Sequence, residues 1–251
     1  MKYAIFSDIH SNYESLKFFL DFLHGQPGVM PICLGDVAGY AARPNECLNL
    51  LQENRIPVIM GNHDYAVNFI QERTAFNEYA LQAIQWQDTV LTPENREILR
   101  RLPLSMVIDQ NFAVTHADYS DPAEFHYVSA AVEAELSFAG LPAPVGFFGH
   151  THCPGIFAED PRRPAEDRIT CLSLEPGDEP FRLDSEVRYL INPGSLGQPR
   201  DGDPRASFLV YDSCERSVMF HRLAYDCEAE ARAIREAGLP DLLADRLLGG
   251  Y

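Results

Sequence analysis

Residues 1–40 read MKYAIFSDIHSNYESLKFFLDFLHGQPGVMPICLGDVAGY, and this stretch decides the fold class. The apolar run Tyr3 to Phe6 is followed by a helical pattern from Tyr13 to Leu23, closed by Gly25, and then by a second apolar run, Pro31 to Leu34. That order predicts parallel strands joined by a crossover helix. Further along, Pro44 opens a helical segment toward Asn54, and Pro57 to Met60 reads as the next strand. Tyr79 to Trp86 and Pro93 to Leu102 carry helical periodicity, with Thr92 as an N-cap.

After Pro103 the pattern shortens. Met106 to Ile108, Phe112 to Thr115, Val145 to Phe148, Ile169 to Leu174, Val187 to Ile191, Ser207 to Tyr211 and Val218 to Leu223 read as strands, with one helix around Ser129 to Phe138. Ala158 to Asp167, rich in Pro, Arg and acidic residues, reads as an exposed loop, and Glu228 to Gly238 and Leu239 to Leu248 as two short helices. A parallel half followed by a strand-rich half predicts an α/β fold of two packed sheets with helices outside, one domain over residues 1–251.

Composition narrows the function. The chain has 251 residues, 46% hydrophobic and 23% charged, as an ordinary globular protein does. No run approaches the roughly 18 apolar residues of a membrane span, and Met1 to Phe6 is too short for the core of a signal peptide. The six cysteines form no C-x-x-C pair and read as reduced, buried packing residues, so the expected compartment is cytoplasmic. A net charge of −17 repels anionic lipids and the backbone of long nucleic acids. An anionic substrate therefore needs a local attraction.

That attraction is legible at five strand ends. Asp8-Ile9-His10, Gly35-Asp36, Gly61-Asn62-His63-Asp64, His116 and Gly149-His150-Thr151-His152 each place metal-binding side chains where an apolar run stops. Ligands of open α/β sheets bind outside the carboxyl ends of strands, so these segments should converge. Any one of them is an ordinary turn. Together they hold five of the eight histidines, a clustering that metal sites require.

In that order the segments D-x-H, G-D, G-N-H-[DE], H and G-H-x-H, from Asp8 to His152, resemble the calcineurin-like metallophosphoesterase superfamily. Gly35 to Tyr40 with Pro44 to Cys47, Asn192 to Ser195 through Pro204 to Ser207, and Gly238 to Pro240 with Arg246 and Leu247 look like a small, stand-alone prokaryotic branch of it. The resemblance implies an αββα sandwich of two mixed sheets. It implies two divalent transition ions (Mn, Fe, Zn, Co or Ni), one on Asp8, His10 and His152, the other on Asn62, His116 and His150, with Asp36 bridging. A hydroxide held between such ions attacks a phosphate ester without a covalent intermediate. Two carboxylates against four positive charges leave the centre cationic, which resolves the charge problem.

The remaining roles follow from chemistry. His63 is expected to steady the transition state or protonate the leaving oxygen, with Asp64 either orienting it or capping a helix. Arg200 and Arg205, in the loop from Asn192 to Ser207, either grip phosphate together with Asn62 and Tyr40 or pair with Asp201 and Asp203. Two departures stand out: His116 is followed by Ala117 and Asp118, where many relatives have Gly first, and Gly39 replaces an Asp found in eukaryotic protein phosphatases of the superfamily. The first alters loop shape and charge near the ligand; the second favours a small phosphate-ester substrate (monoester, diester or nucleotide) over a phosphoprotein. The alternative is a non-catalytic, metal-binding interaction module of the same fold. The apolar C-terminal helices leave a homo-oligomer open.

Overall fold

In β1 (Lys2–Phe6) alternate side chains face opposite layers, as the period of a strand requires. Tyr3 and Ile5 enter a core shared between two sheets, while Ala4 and Phe6 face helices. The structure, a computed structural model, describes residues 1–172 and 179–251.

The chain continues through α1 (Tyr13–His24), β2 (Val29–Cys33), α2 (Pro44–Glu53), α3 (Asn62–Asn68), α4 (Glu78–Val90) and α5 (Pro93–Arg100). The second half runs β3 (Ser105–Ile108), β4 (Phe112–Thr115), α6 (Ala131–Gly140), β5 (Val145–Phe147), β6 (Gly155–Glu159) and β7 (Ile169–Leu172). It ends with β8 (Phe181–Arg182), β9 (Arg188–Asn192), β10 (Ala206–Asp212), β11 (Ser217–Leu223), α7 (Cys227–Glu236) and α8 (Asp241–Gly249). One sheet has the order β2-β1-β10-β11-β8, the other β3-β4-β5-β9-β6-β7. Both are mixed: β1 and β2 are parallel, as are β4, β5 and β9, and the other strand pairs are antiparallel.

Phe112, Val114, Phe147 and Ile191 of the second sheet meet Tyr3, Ile5, Leu209 and Tyr211 of the first. On its outer face the first sheet packs Phe6 and Phe208 against Leu16 and Phe19 of α1. The second sheet packs Ala113 and Leu190 with Ala134 and Phe138 of α6. The layers are therefore α, β, β, α. Each fully buried Phe contributes roughly 1.5–3 kcal/mol, so the three interfaces supply the main driving force. Asn12 and Thr92 cap α1 and α5, accepting the amides of Ser15 and Asn95. Leu243, Ala244 and Leu247 of α8 pack with Ala80 and Ala83 of α4, so the C-terminal helices spend their apolar face on the chain's own core.

Several expectations need correction. Residues 57–60 make only an isolated parallel bridge, Val58 to Cys33, because Gly61 immediately starts α3 and leaves no length for a strand. Ala158 belongs to β6 and is buried, so the exposed loop begins after Glu159. The strand expected over 169–174 runs to Leu172, and its last two positions lie outside the described residues. All six cysteines are free, but Cys153, Cys171 and Cys214 are exposed; Cys33 and Cys47 are buried. Among the described residues no helix is long and apolar enough to cross a membrane.

Candidate metal centre

The two parallel strand sets point their carboxyl ends at one rim. Asp8 and His10 follow β1, Asp36 follows β2, His116 follows β4, and His150 and His152 follow β5. Asn62 and His63 open α3 behind the Val58 bridge. Asp8, His10, Asp36, His150 and His152 all have positive φ, between 49° and 66°. Left-handed backbone costs a non-glycine residue of order 1–3 kcal/mol, and such strain clusters where side chains must be aimed. Glycine is required beside them: a Cβ on Gly61 would collide with Asp36, and one on Gly149 with Ser7 and Asp8.

Both carboxylates are used asymmetrically. Asp8 accepts the His150 amide with Oδ2 at 3.1 Å, and Asp36 accepts the His63 amide with Oδ1 at 2.8 Å. Their other oxygens, Asp8 Oδ1 and Asp36 Oδ2, are buried and have no hydrogen-bond partner among the described residues. Three imidazoles are pinned by backbone carbonyls: the Nδ1–H of His10 donates to Ala38 at 3.0 Å, that of His116 to Leu34 at 2.8 Å, and that of His152 to Gln198 at 2.6 Å. Each therefore turns Nε2 inward, as partners behind a metal-ligating histidine do.

The inward atoms fit metal ions. Nε2 of His152 lies 3.3 Å from Asp8 Oδ1 and 3.1 Å from Nε2 of His10. Nε2 of His116 lies 3.4 Å from Asp36 Oδ2 and 3.2 Å from Asn62 Oδ1. Ligands about 2.0–2.2 Å from a common ion are separated by about this much. The donors of Asp8, His10 and His152 form one group within 4.8 Å, and those of Asp36, His116 and His150 form another. Asp36 also groups with His10 and His63, so it faces both sides.

Electrostatics favour cations. Against a burial that would raise them, His152 pulls Asp8 below the usual carboxylate range, and His116 pulls Asp36 well below it. Burial pushes His150 down to about 3 and His63 to about 4. His116 moves the other way: burial opposes it, but the Asp36 carboxylate raises it to about 9. In the metal-free protein at pH 7.5 His116 thus carries a second ring proton, which an ion taking its Nε2 would have to displace. Calorimetric titration with Mn at pH 7.5, in buffers of different ionisation enthalpy, should report about one proton released, with affinity rising up to about tenfold per pH unit until pH 9. No proton release and a flat affinity would contradict this protonation state.

Asp64 does not serve His63. It is fully buried and accepts the amides of Gly61, Val37 and Ala38, so it ties the start of α3 to the loop after Asp36. Burial raises it to about 7. It is the N3 residue of α3 and not its N-cap, which is Gly61. His63 is walled by Tyr40 and Phe76, with ring centroids 4.7 and 4.8 Å away.

The two arginines separate. Arg205 grips Asp203 at 2.6 Å and is half exposed, so the expectation that it reaches phosphate is corrected; Asp201 is taken by Arg222. Arg200 donates to the Tyr40 hydroxyl at 3.2 Å and to Gln198 at 2.9 Å, and its guanidinium lies 5.6 Å from the Tyr40 ring centroid. Its buried Nε has no partner among the described residues.

The loop from Asn192 to Ser207 has a further duty that the sequence reading missed. Ser195 Oγ donates to the Asp8 carbonyl, the amides of Leu196 and Gly197 donate to Ser7 and Asp8, and the Gln198 carbonyl holds His152. Asn192 donates to the Gly149 carbonyl and to Thr151. The Asn192-Pro193-Gly194-Ser195 run was the visible signal, since its turn chemistry is specific.

A family model described as the calcineurin-like phosphoesterase superfamily domain matches residues 1–216. The chain is 34% identical over 253 residues to an uncharacterized protein, MJ0912, of Methanocaldococcus jannaschii, covering 98% of this chain and 97% of that protein. It is similar to a crystal structure of a metallophosphoesterase from Sphaerobacter thermophilus, with 35% identity, a TM-score of 0.86, and coverage of 100% of this chain and 99% of that one. A hypothetical protein, PH1004, from Pyrococcus horikoshii OT3 shares the fold at 17% identity and a TM-score of 0.79, covering 100% and 98% of the two chains.

Proposed function

The chain belongs to the calcineurin-like phosphoesterase superfamily, and from that membership we propose that it hydrolyses a small phosphate ester at a centre of two divalent ions. In this reading Asp8, His10 and His152 hold one ion, Asn62, His116 and His150 the other, and Asp36 both. The observation that carries it is the pair of orphaned carboxylate oxygens facing inward-turned Nε2 atoms. Ions bound there supply Lewis acidity toward phosphoryl oxygens and lower the pKa of water.

The chain's own groups do the rest. His63 is neutral in the free site, and a phosphoryl anion beside it favours its protonated form, so the proton for the leaving oxygen becomes available as substrate arrives. Arg200, already fixed by Tyr40 and Gln198, turns a free Nε–H toward phosphate, and Asn62 orients a phosphoryl oxygen. A non-catalytic module would leave His63 and Arg200 without a use. The six free thiols support a cytoplasmic setting.

Metal-stripped protein supplied with Mn should hydrolyse p-nitrophenyl phosphate or bis(p-nitrophenyl) phosphate, and chelation should stop it. In the same assay Arg200→Ala should raise KM roughly 10- to 100-fold, the worth of a charge-assisted hydrogen bond, while Arg205→Ala changes little. Turnover that survives chelation overturns the metal-dependent reading, and equal effects of the two variants overturn the role of Arg200.

A further inference from the structure

Beside the metal centre lies a cleft of ≈ 200 Å³ lined by Tyr65, Phe76, Phe125 and Tyr127 and shared with His63 and His150. Tyr127 is 54% exposed, yet its ring lies on the imidazole of His150 at 4.0 Å and 28°. One face of Tyr127 is thus covered and the other is free. Phe125 holds a positive φ of 52° and sits 5.8 Å from Tyr65 and 6.0 Å from His116.

The loop carrying these rings is deliberately built. Asp118, 3% exposed, accepts the amides of Ser120, Asp121 and His126 and the Ser120 hydroxyl. The charge of Asp118 is therefore absorbed by the turn that presents Phe125 and Tyr127.

We propose that this cleft receives the base of a nucleoside phosphate whose phosphoryl group sits at the metal centre, a reading that rests on the phosphoesterase function above. Every nucleobase offers a π-face to stack on such rings, and the exposed Asn77 and Glu124 of the same cleft offer an amide and a carboxylate to its polar edge. Sugar phosphates have no face to stack. Glu124 and the net charge of −17 disfavour a polyphosphate tail on that side. In the reaction, water gives OH to phosphorus and H to the nucleoside oxygen as the ester P–O bond breaks.

The test uses the full chain loaded with Mn and two monoesters that share the reacting group, adenosine 5′-monophosphate and ribose 5-phosphate. kcat/KM should favour the nucleotide by about tenfold or more, the scale of one base stacked on an aromatic ring. Tyr127→Leu should bring the ratio toward one, and Tyr127→Phe should keep it. Equal kcat/KM in the wild type, or an unchanged ratio in Tyr127→Leu, overturns the proposal. Calorimetric binding of the same two ligands separates the two readings. A preference for the nucleotide that depends on Tyr127, with no turnover of either monoester or of bis(p-nitrophenyl) phosphate, sinks the phosphoesterase reading and keeps the cleft; no preference in binding or turnover sinks the cleft.

Discussion

In Asp36→Asn, ester hydrolysis is expected to fall by on the order of 10³-fold or more, because the change removes a carboxylate grouped with His116 and His150 on one side and with His10 on the other, the position proposed to bridge two ions. Asn keeps the shape and an oxygen to accept the His63 amide, which wild-type Asp36 binds at 2.8 Å. The fold should therefore persist, with an unfolding transition close to wild type. What is lost is the charge of Oδ2, 3.4 Å from His116 Nε2 and 3.6 Å from His10 Nε2. An amide nitrogen placed there offers hydrogens where lone pairs are needed. Full activity with Asn at this position would show that Asp36 binds neither ion.

His63→Ala should lower kcat by about 10²–10⁴-fold while bound metal stays near the wild-type level. The two readouts divide the candidates. His63 lies near Asp36 and His10 and falls within one ligand-like group with them, so geometry admits it as a ligand. Its buried Nδ1 has no hydrogen-bond partner among the described residues, as suits a group awaiting substrate. A fall in metal content that parallels the fall in rate would move His63 into the ligand set. Unchanged kcat would remove it from the reaction.

The layering and the centre were readable because they rest on periodic and positional signals. Tyr3 and Ile5 alternate with Ala4 and Phe6, and the donors sit where parallel strands end. What stayed hidden depends on where a side chain turns in space. Arg200 and Arg205 look alike in sequence, yet one reaches Tyr40 and the other Asp203. Asp64 next to His63 invited a pairing, but the turn into α3 sends its carboxylate to the amides of Val37 and Ala38 instead. β6 was missed whole: Gly155 to Glu159 is short, follows Pro154 and runs straight into a Pro- and Arg-rich loop that masks the strand pattern. Tyr127 carried no local signal, since its stacking on His150 is a contact between residues 23 positions apart.

The most direct test of the account is a titration of metal-stripped wild-type protein and Asp36→Asn with Mn, following bound metal and hydrolysis of bis(p-nitrophenyl) phosphate and p-nitrophenyl phosphate in the same samples. Turnover of at least one ester should saturate as two ions bind per wild-type chain, with Asp36→Asn binding fewer ions and remaining inactive. Turnover that saturates at a single ion, or that needs none, would contradict it.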